Sequence, residues 1–124
     1  MTKISSKDAS IRNLELCKIA PVIPVLIIED ISSARGLGEA LVAGGLPVLE
    51  VTLRTQCALQ AISEMSKIKG GIVGAGTLIT YNDVKNAVDA GIDLPEDYSG
   101  YSFHAYTTKP LPTKDLTPEE ILEF

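Results

Sequence analysis

Three apolar runs, at residues 22–28, 48–53 and 72–75, are rich in Val, Ile and Leu and bounded by Gly or Pro. Short continuous runs of this kind fit strands covered on both faces in a parallel sheet. Between the first two lies a helical pattern. Ser32 or Ser33 is the candidate N-cap, Leu37, Ala40 and Leu41 share one face, and Gly44 and Gly45 form the stop. A second helix is expected over residues 55–67, carrying Ala58, Ile62 and Met65 and ending before Gly70 and Gly71. A third opens on a T-x-x-D capping pattern, Thr80 to Asp83, buries Val84, Ala87 and Val88, and stops at Gly91. The strands recur about every 25 residues, the pace of a repeated βα unit. Upstream, residues 6–18 read as a further helix with Ile11, Leu14 and Cys17 turned inward.

If the period held, a fourth strand would begin near residue 93. That position instead opens Asp93-Leu-Pro-Glu-Asp-Tyr-Ser-Gly-Tyr101, in which Pro95 and Gly100 act as breakers. The composition shifts there too: Tyr98, Tyr101, Tyr106, Phe103, Phe124 and His104 all lie beyond it. The expected organisation is therefore residues 1–92 as repeating βα units and residues 93–124 as a divergent tail. Within the tail, Thr117-Pro118-Glu119-Glu120 combines an N-cap, a proline at the first helical position and an acid at the third, opening a short helix to Phe124.

The whole chain of 124 residues is 45% hydrophobic and 22% charged, enough apolar surface for one real core. With net charge −5 and no dense run of Lys and Arg, nucleic acid is not an expected partner. The longest apolar stretch, residues 21–28, falls well short of the roughly 20 residues that span a bilayer, and residues 1–10 lack the apolar core of a secretion signal. A cytoplasmic chain with no membrane partner is expected. Cys17 and Cys57 match no metal or redox spacing and are expected as reduced thiols, Cys57 in packing. His104 reads as a loop residue, and no metal site is expected.

Candidate chemistry lies on the second strand and just past the second and third. Alternation places Val48, Glu50 and Thr52 on one face and Leu49, Val51 and Leu53 on the other. A glutamate among apolar strand residues fits a carboxyl turned into a polar site, where lost solvation favours its neutral form and suits it to proton transfer. The position equally fits a strand-end Glu paired with Arg54 or Lys18. Arg54 follows at the carboxyl end of the strand, where α/β proteins bind ligands and where a guanidinium can clamp a carboxylate; it also fits a solvated surface charge. Gly74-Ala75-Gly76-Thr77 closes the third strand. Its glycines would admit an anion to backbone N–H groups, with Thr77 adding a hydroxyl, although glycines there also simply make a turn.

Taken in order, Ala20-Pro-Val-Ile-Pro-Val-Leu-Ile-Ile28, Leu41-Val-Ala-Gly-Gly45, Leu49-Glu-Val-Thr-Leu-Arg-Thr55 and Ile72-Val-Gly-Ala-Gly-Thr77 resemble the 2-keto-3-deoxy-6-phosphogluconate (KDPG) and 4-hydroxy-2-oxoglutarate aldolase family over about residues 10–92. The resemblance implies a (β/α)8 barrel, usually trimeric. It implies cleavage of a keto-acid substrate to pyruvate and an aldehyde through a lysine Schiff base, with no metal or other cofactor. By motif match Glu50 would be the general acid/base, Arg54 a contact to a substrate carboxylate or phosphate, and Thr77 a contact to the pyruvyl carboxylate. Such a barrel takes roughly 200 to 250 residues, so the expectation is an incomplete barrel of about three βα units. The family's lysine, in a Phe-Lys-Phe-Phe-Pro-like context on a later strand, has no counterpart. Lys109 and Lys114, the lysines beyond residue 92, are proline-flanked. Two further expectations follow: a truncated, noncatalytic fragment, or a half-barrel whose partner chain supplies the lysine.

Overall fold

The computed structural model describes residues 6–92. The expected boundary at 92–93, the tail, its short helix, His104, Lys109 and Lys114 lie outside the described residues. Within them the order is α1 (Ser6–Ile19), β1 (Val25–Leu26), α2 (Ile31–Ala43), β2 (Val48–Thr52), α3 (Ala58–Met65), β3 (Ile72–Gly76) and α4 (Tyr81–Ala90). The three strands form one parallel sheet in chain order, as the βα spacing predicted. A parallel pair needs a crossover, and here each crossover is a helix.

The core lies between the sheet and helices α2 to α4. Leu49 and Val51 point into it and meet Ala58, Ala61, Ile62 and Met65 of α3, with Val73 from β3 and Val84 and Ala87 from α4. The other β2 residues, Val48, Glu50 and Thr52, share the opposite face, in line with the alternation. There they are paired in register with Ile72, Gly74 and Gly76 of β3, while Val25 of β1 lies opposite Glu50. On that face Val48 and Thr52 are buried and Glu50 is half-buried, whereas Val25 of β1 remains 59% exposed.

Helix α4 matches its sequence signature. The Thr80 hydroxyl accepts from the Asp83 N–H while the Asp83 carboxylate accepts from the Thr80 N–H at 2.8 Å, and Gly91 closes the helix in the left-handed conformation at φ 112°. Other boundaries differ for identifiable reasons. Strand β1 is much shorter than residues 22–28, because Pro21 and Pro24 have no N–H to donate to a ladder. The N-cap of α2 is Asp30 rather than Ser32 or Ser33: its carboxylate accepts from the Ser32 N–H and hydroxyl and holds the Asp30 carboxyl below its ordinary range. Helix α3 begins at Ala58 rather than Thr55, since the Thr55 hydroxyl and the Cys57 thiol both donate to the Ile28 carbonyl, at 2.6 and 3.0 Å. That tie holds the segment against the end of β1.

Two predicted faces are corrected. Helix α2 buries Ala34 and Gly38, with Leu41 half-buried, whereas Leu37 and Ala40 are exposed. Gly38 allows the helix to sit directly on α3 and β2: a Cβ there would come within 2.6 Å of Ile68 Cδ1 and 3.3 Å of Met65 Cγ. Helix α1 does not bury Ile11, Leu14 or Cys17, all of which are exposed, and its Leu16 is half-buried. Among the described residues no helix is long and apolar enough to cross a membrane.

Candidate active site

The carboxyl ends of β2 and β3 are held level by main-chain hydrogen bonds that continue past the strands, the Leu53 N–H donating to the Gly76 carbonyl at 2.9 Å. This brings Arg54 and Thr77, 23 positions apart in the chain, into contact, with the guanidinium Nε donating to Thr77 Oγ1 at 3.1 Å. Glu50 lies four positions before Arg54, on the sheet face opposite the core. Its side chain runs up over Gly76, so that a Cβ at that position would collide with Oε1 and lie 3.0 Å from Cδ. The three residues singled out in the sequence therefore converge on one end of the sheet, a carboxylate below and a guanidinium–hydroxyl pair above.

Glu50 is half-buried. Among the described residues it makes no ion pair with Arg54 or Lys18; Arg54 turns to Thr77, and ion pairs such as Arg35–Glu39, Lys67–Glu64 and Lys85–Asp89 lie elsewhere. Those pairs join neighbouring turns on exposed helical or post-helical surface, where they contribute little to stability. The alternative of a strand-end ion pair at Glu50 is not what the geometry shows.

Around this carboxylate the packing is rigid on one side and open on the other. Thr52, one row above Glu50 on the same face, is fully buried and donates its hydroxyl to the Leu26 carbonyl at 3.1 Å, which locks β1 to β2 beside the site. Gly74, directly opposite Glu50 in the register, leaves free space: a Cβ there would meet only the Leu49 carbonyl, at 3.8 Å. Below, residues of α1 including Arg12 and Asn13 line a cleft of about 320 Å³ with Glu50 and Gly74. Cys57 is half-buried and spends its thiol on the Ile28 carbonyl, in keeping with the packing role expected of it. Among the described residues no group of three or more His, Cys, Asp or Glu is placed to hold a metal ion.

One feature of the site had no signal in the sequence. Thr77 has φ 59°, the left-handed region that a β-branched residue adopts only when its surroundings force it. Backbone held this way concentrates at ligand-binding and catalytic positions. Here it turns the Thr77 hydroxyl back toward Arg54, and the composition of the Gly-x-Gly-Thr stretch would have placed the unusual dihedral on a glycine.

Comparison with known proteins gives a consistent result. The family described as KDPG and KHG aldolase matches residues 14–95. The 2-dehydro-3-deoxy-phosphogluconate aldolase of Zymomonas mobilis is 55% identical over 77 residues, covering 62% of this chain and 37% of that protein. The KHG/KDPG aldolase of Escherichia coli is 44% identical over 72 residues, covering 57% and 34%. Among solved structures, the Z. mobilis KDPG aldolase crystallised with 3-phosphoglycerate superposes with a TM-score of 0.65 at 48% identity, covering 72% of this chain and 41% of that one. The Legionella pneumophila KDPG aldolase, with pyruvate captured as a covalent carbinolamine intermediate, gives a TM-score of 0.58 at 42% identity, covering 62% and 38%. The chain thus spans less than half the length of the relatives it matches.

Proposed function

The chain belongs to the KDPG and KHG aldolase family, and from that premise we propose that its strands carry the acid/base and carboxylate-recognition part of a pyruvate-forming aldolase site. The observation that carries the reading is the convergence of Glu50 with the Arg54–Thr77 pair at the carboxyl ends of adjacent strands. The substrate class is a 4-hydroxy-2-keto acid of the KDPG or 4-hydroxy-2-oxoglutarate kind. The Arg54 guanidinium and Thr77 hydroxyl present donors to its carboxylate, and the bare surface at Gly74 leaves room for the chain of the keto acid beside Glu50.

In such a reaction a lysine amine adds to the keto carbon to give a carbinolamine. Loss of its hydroxyl as water, which leaves the imine, requires a proton delivered to that oxygen. Cleavage of the carbon–carbon bond requires removal of the proton from the 4-hydroxyl, and the enamine left behind takes a proton on carbon. One carboxyl beside the imine can serve each transfer in turn, and Glu50 fills that role. Positioned acid/base catalysis of this kind contributes about 10²- to 10⁴-fold, short of the roughly 10⁶-fold or more of a complete enzyme.

The imine-forming amine is the part the described residues do not supply at this face. Lys7, Lys18, Lys67, Lys69 and Lys85 are all exposed and lie on helices or the α3–β3 connection, none on a strand. This favours the reading in which these strands do not turn over substrate unaided. The lysine then comes from sequence that adds later strands, whether in the same polypeptide or in a partner.

The test is a graft. Residues 14–92, placed in the Z. mobilis enzyme in exchange for its matching segment, are expected to sustain cleavage, and Glu50→Gln in that graft to lower kcat by about 10²- to 10⁴-fold. Full activity in the Glu50→Gln graft would refute the assignment. In parallel, borohydride reduction of the 124-residue chain with pyruvate is expected to give no adduct by intact mass, whereas a single pyruvyl-lysine would show that the chain holds its own nucleophile.

A further inference from the structure

Building on the aldolase reading of Glu50, we propose that Gly76 is a positioning residue, its missing side chain being what lets the Glu50 carboxylate lie along the sheet toward the Arg54–Thr77 pair. The two glycines of the Gly74-Ala75-Gly76 stretch have different surroundings. At Gly74 a Cβ meets nothing closer than the Leu49 carbonyl at 3.8 Å, an ordinary contact. At Gly76 it would overlap Glu50 Oε1, with Cδ at 3.0 Å and Cγ at 3.4 Å, so the three atoms it meets all belong to one side chain. Gly76 is absent from the glycines with positive φ, which among the described residues are Gly45, Gly70 and Gly91. Its backbone is therefore one that alanine adopts without strain, and torsion does not explain the glycine.

The group in the way is the end of a flexible side chain rather than backbone, so a methyl at position 76 is accommodated by rotating the carboxylate away from the sheet. The fold keeps its packing, because Gly76 and Glu50 lie on the face opposite the core. Glu50 loses the orientation that aims it at the carboxyl ends of the strands. Gly76 thereby selects a rotamer of the acid/base group, whereas Gly74 provides the open floor beside it.

The experiment uses the full chain, with glutamate labelled at the δ carbon and the Glu50 carboxyl resonance identified by its disappearance in Glu50→Gln. Gly76→Ala is expected to move that resonance and to increase its broadening by a soluble paramagnetic probe, as the carboxylate swings toward solvent, while the other glutamate resonances and the melting temperature stay in place. Gly74→Ala is expected to leave Glu50 where it is. An unmoved Glu50 signal in Gly76→Ala, an equal displacement in Gly74→Ala, or loss of folding in Gly76→Ala would each overturn the proposal. Because the readout is the carboxylate itself and not turnover, it is separable from the graft experiment: an active Glu50→Gln graft would remove the catalytic meaning of Glu50 without altering what Gly76 does to its position.

Discussion

Thr77 offers a way to separate strain from chemistry at the site. It sits at φ 59° with its hydroxyl accepting from Arg54. Replacing it with alanine or with glycine removes that hydroxyl in both cases, so the difference between the two variants reports the backbone alone. In the left-handed region a Cβ costs about 1–2 kcal/mol against the neighbouring carbonyl. Glycine relieves that cost but gives back about 0.5–1 kcal/mol through the extra freedom of its unfolded chain. Thr77→Gly should therefore be more stable than Thr77→Ala by about 0.5–1 kcal/mol. Relative to the parent, the alanine variant also loses a solvent-facing hydrogen bond of about 0.5–1.5 kcal/mol, which leaves the glycine variant near parental stability. Urea unfolding followed by circular dichroism reads this as a higher midpoint for glycine at an unchanged m-value. Both variants should bind pyruvate equally poorly in an NMR titration, since both lack the hydroxyl. A glycine variant less stable than the alanine variant would refute the claim that the site holds strained backbone.

Two further outcomes follow from the packing and the caps. Leu49, 1% exposed beneath α3, should lose about 2–5 kcal/mol on truncation to alanine, a large share of the roughly 5–15 kcal/mol that holds a domain together; urea titration measures it, and a loss below 1 kcal/mol would mean that the sheet and helices are not packed as described. At Asp30 the Ser32 backbone N–H and then its hydroxyl hold the carboxyl below its usual value of 3.8. A carboxyl with a folded pKa below its unfolded one adds stability that is fully present above about 3.8 and disappears as pH falls through the lower, folded value. Asp30→Asn retains a capping side chain but not this titration, so its stability should vary less with pH below 4 than that of the parent. Identical acid limbs in pH-dependent unfolding would exclude the effect.

The sequence by itself determined those features whose signal is local. The βα pace, three parallel strands, the Thr80–Asp83 capping box, the αL stop at Gly91 and the split of β2 into a core face and a polar face follow from period, capping chemistry and glycine placement, each acting within a few residues. The ordered motifs from Ala20 to Thr77 were specific enough to identify the family, and Glu50, Arg54 and Thr77 could be singled out because the polar residues among them interrupt or follow apolar strands. What only the tertiary structure decided involves partners distant along the chain. Helix α2 turns Ala34 and Gly38 inward, against the larger Leu37, because the approach of Ile68 and Met65 leaves room for no Cβ at position 38. Helix α3 starts late because Thr55 and Cys57 are bound to the Ile28 carbonyl. Helix α1 leaves Ile11 and Leu14 exposed, since amphipathic spacing names a face without naming what covers it. The Arg54–Thr77 contact, the left-handed Thr77 and the Glu50 carboxylate over Gly76 arise where two strand ends meet, between residues some 25 positions apart that are brought together by the pairing of β2 with β3.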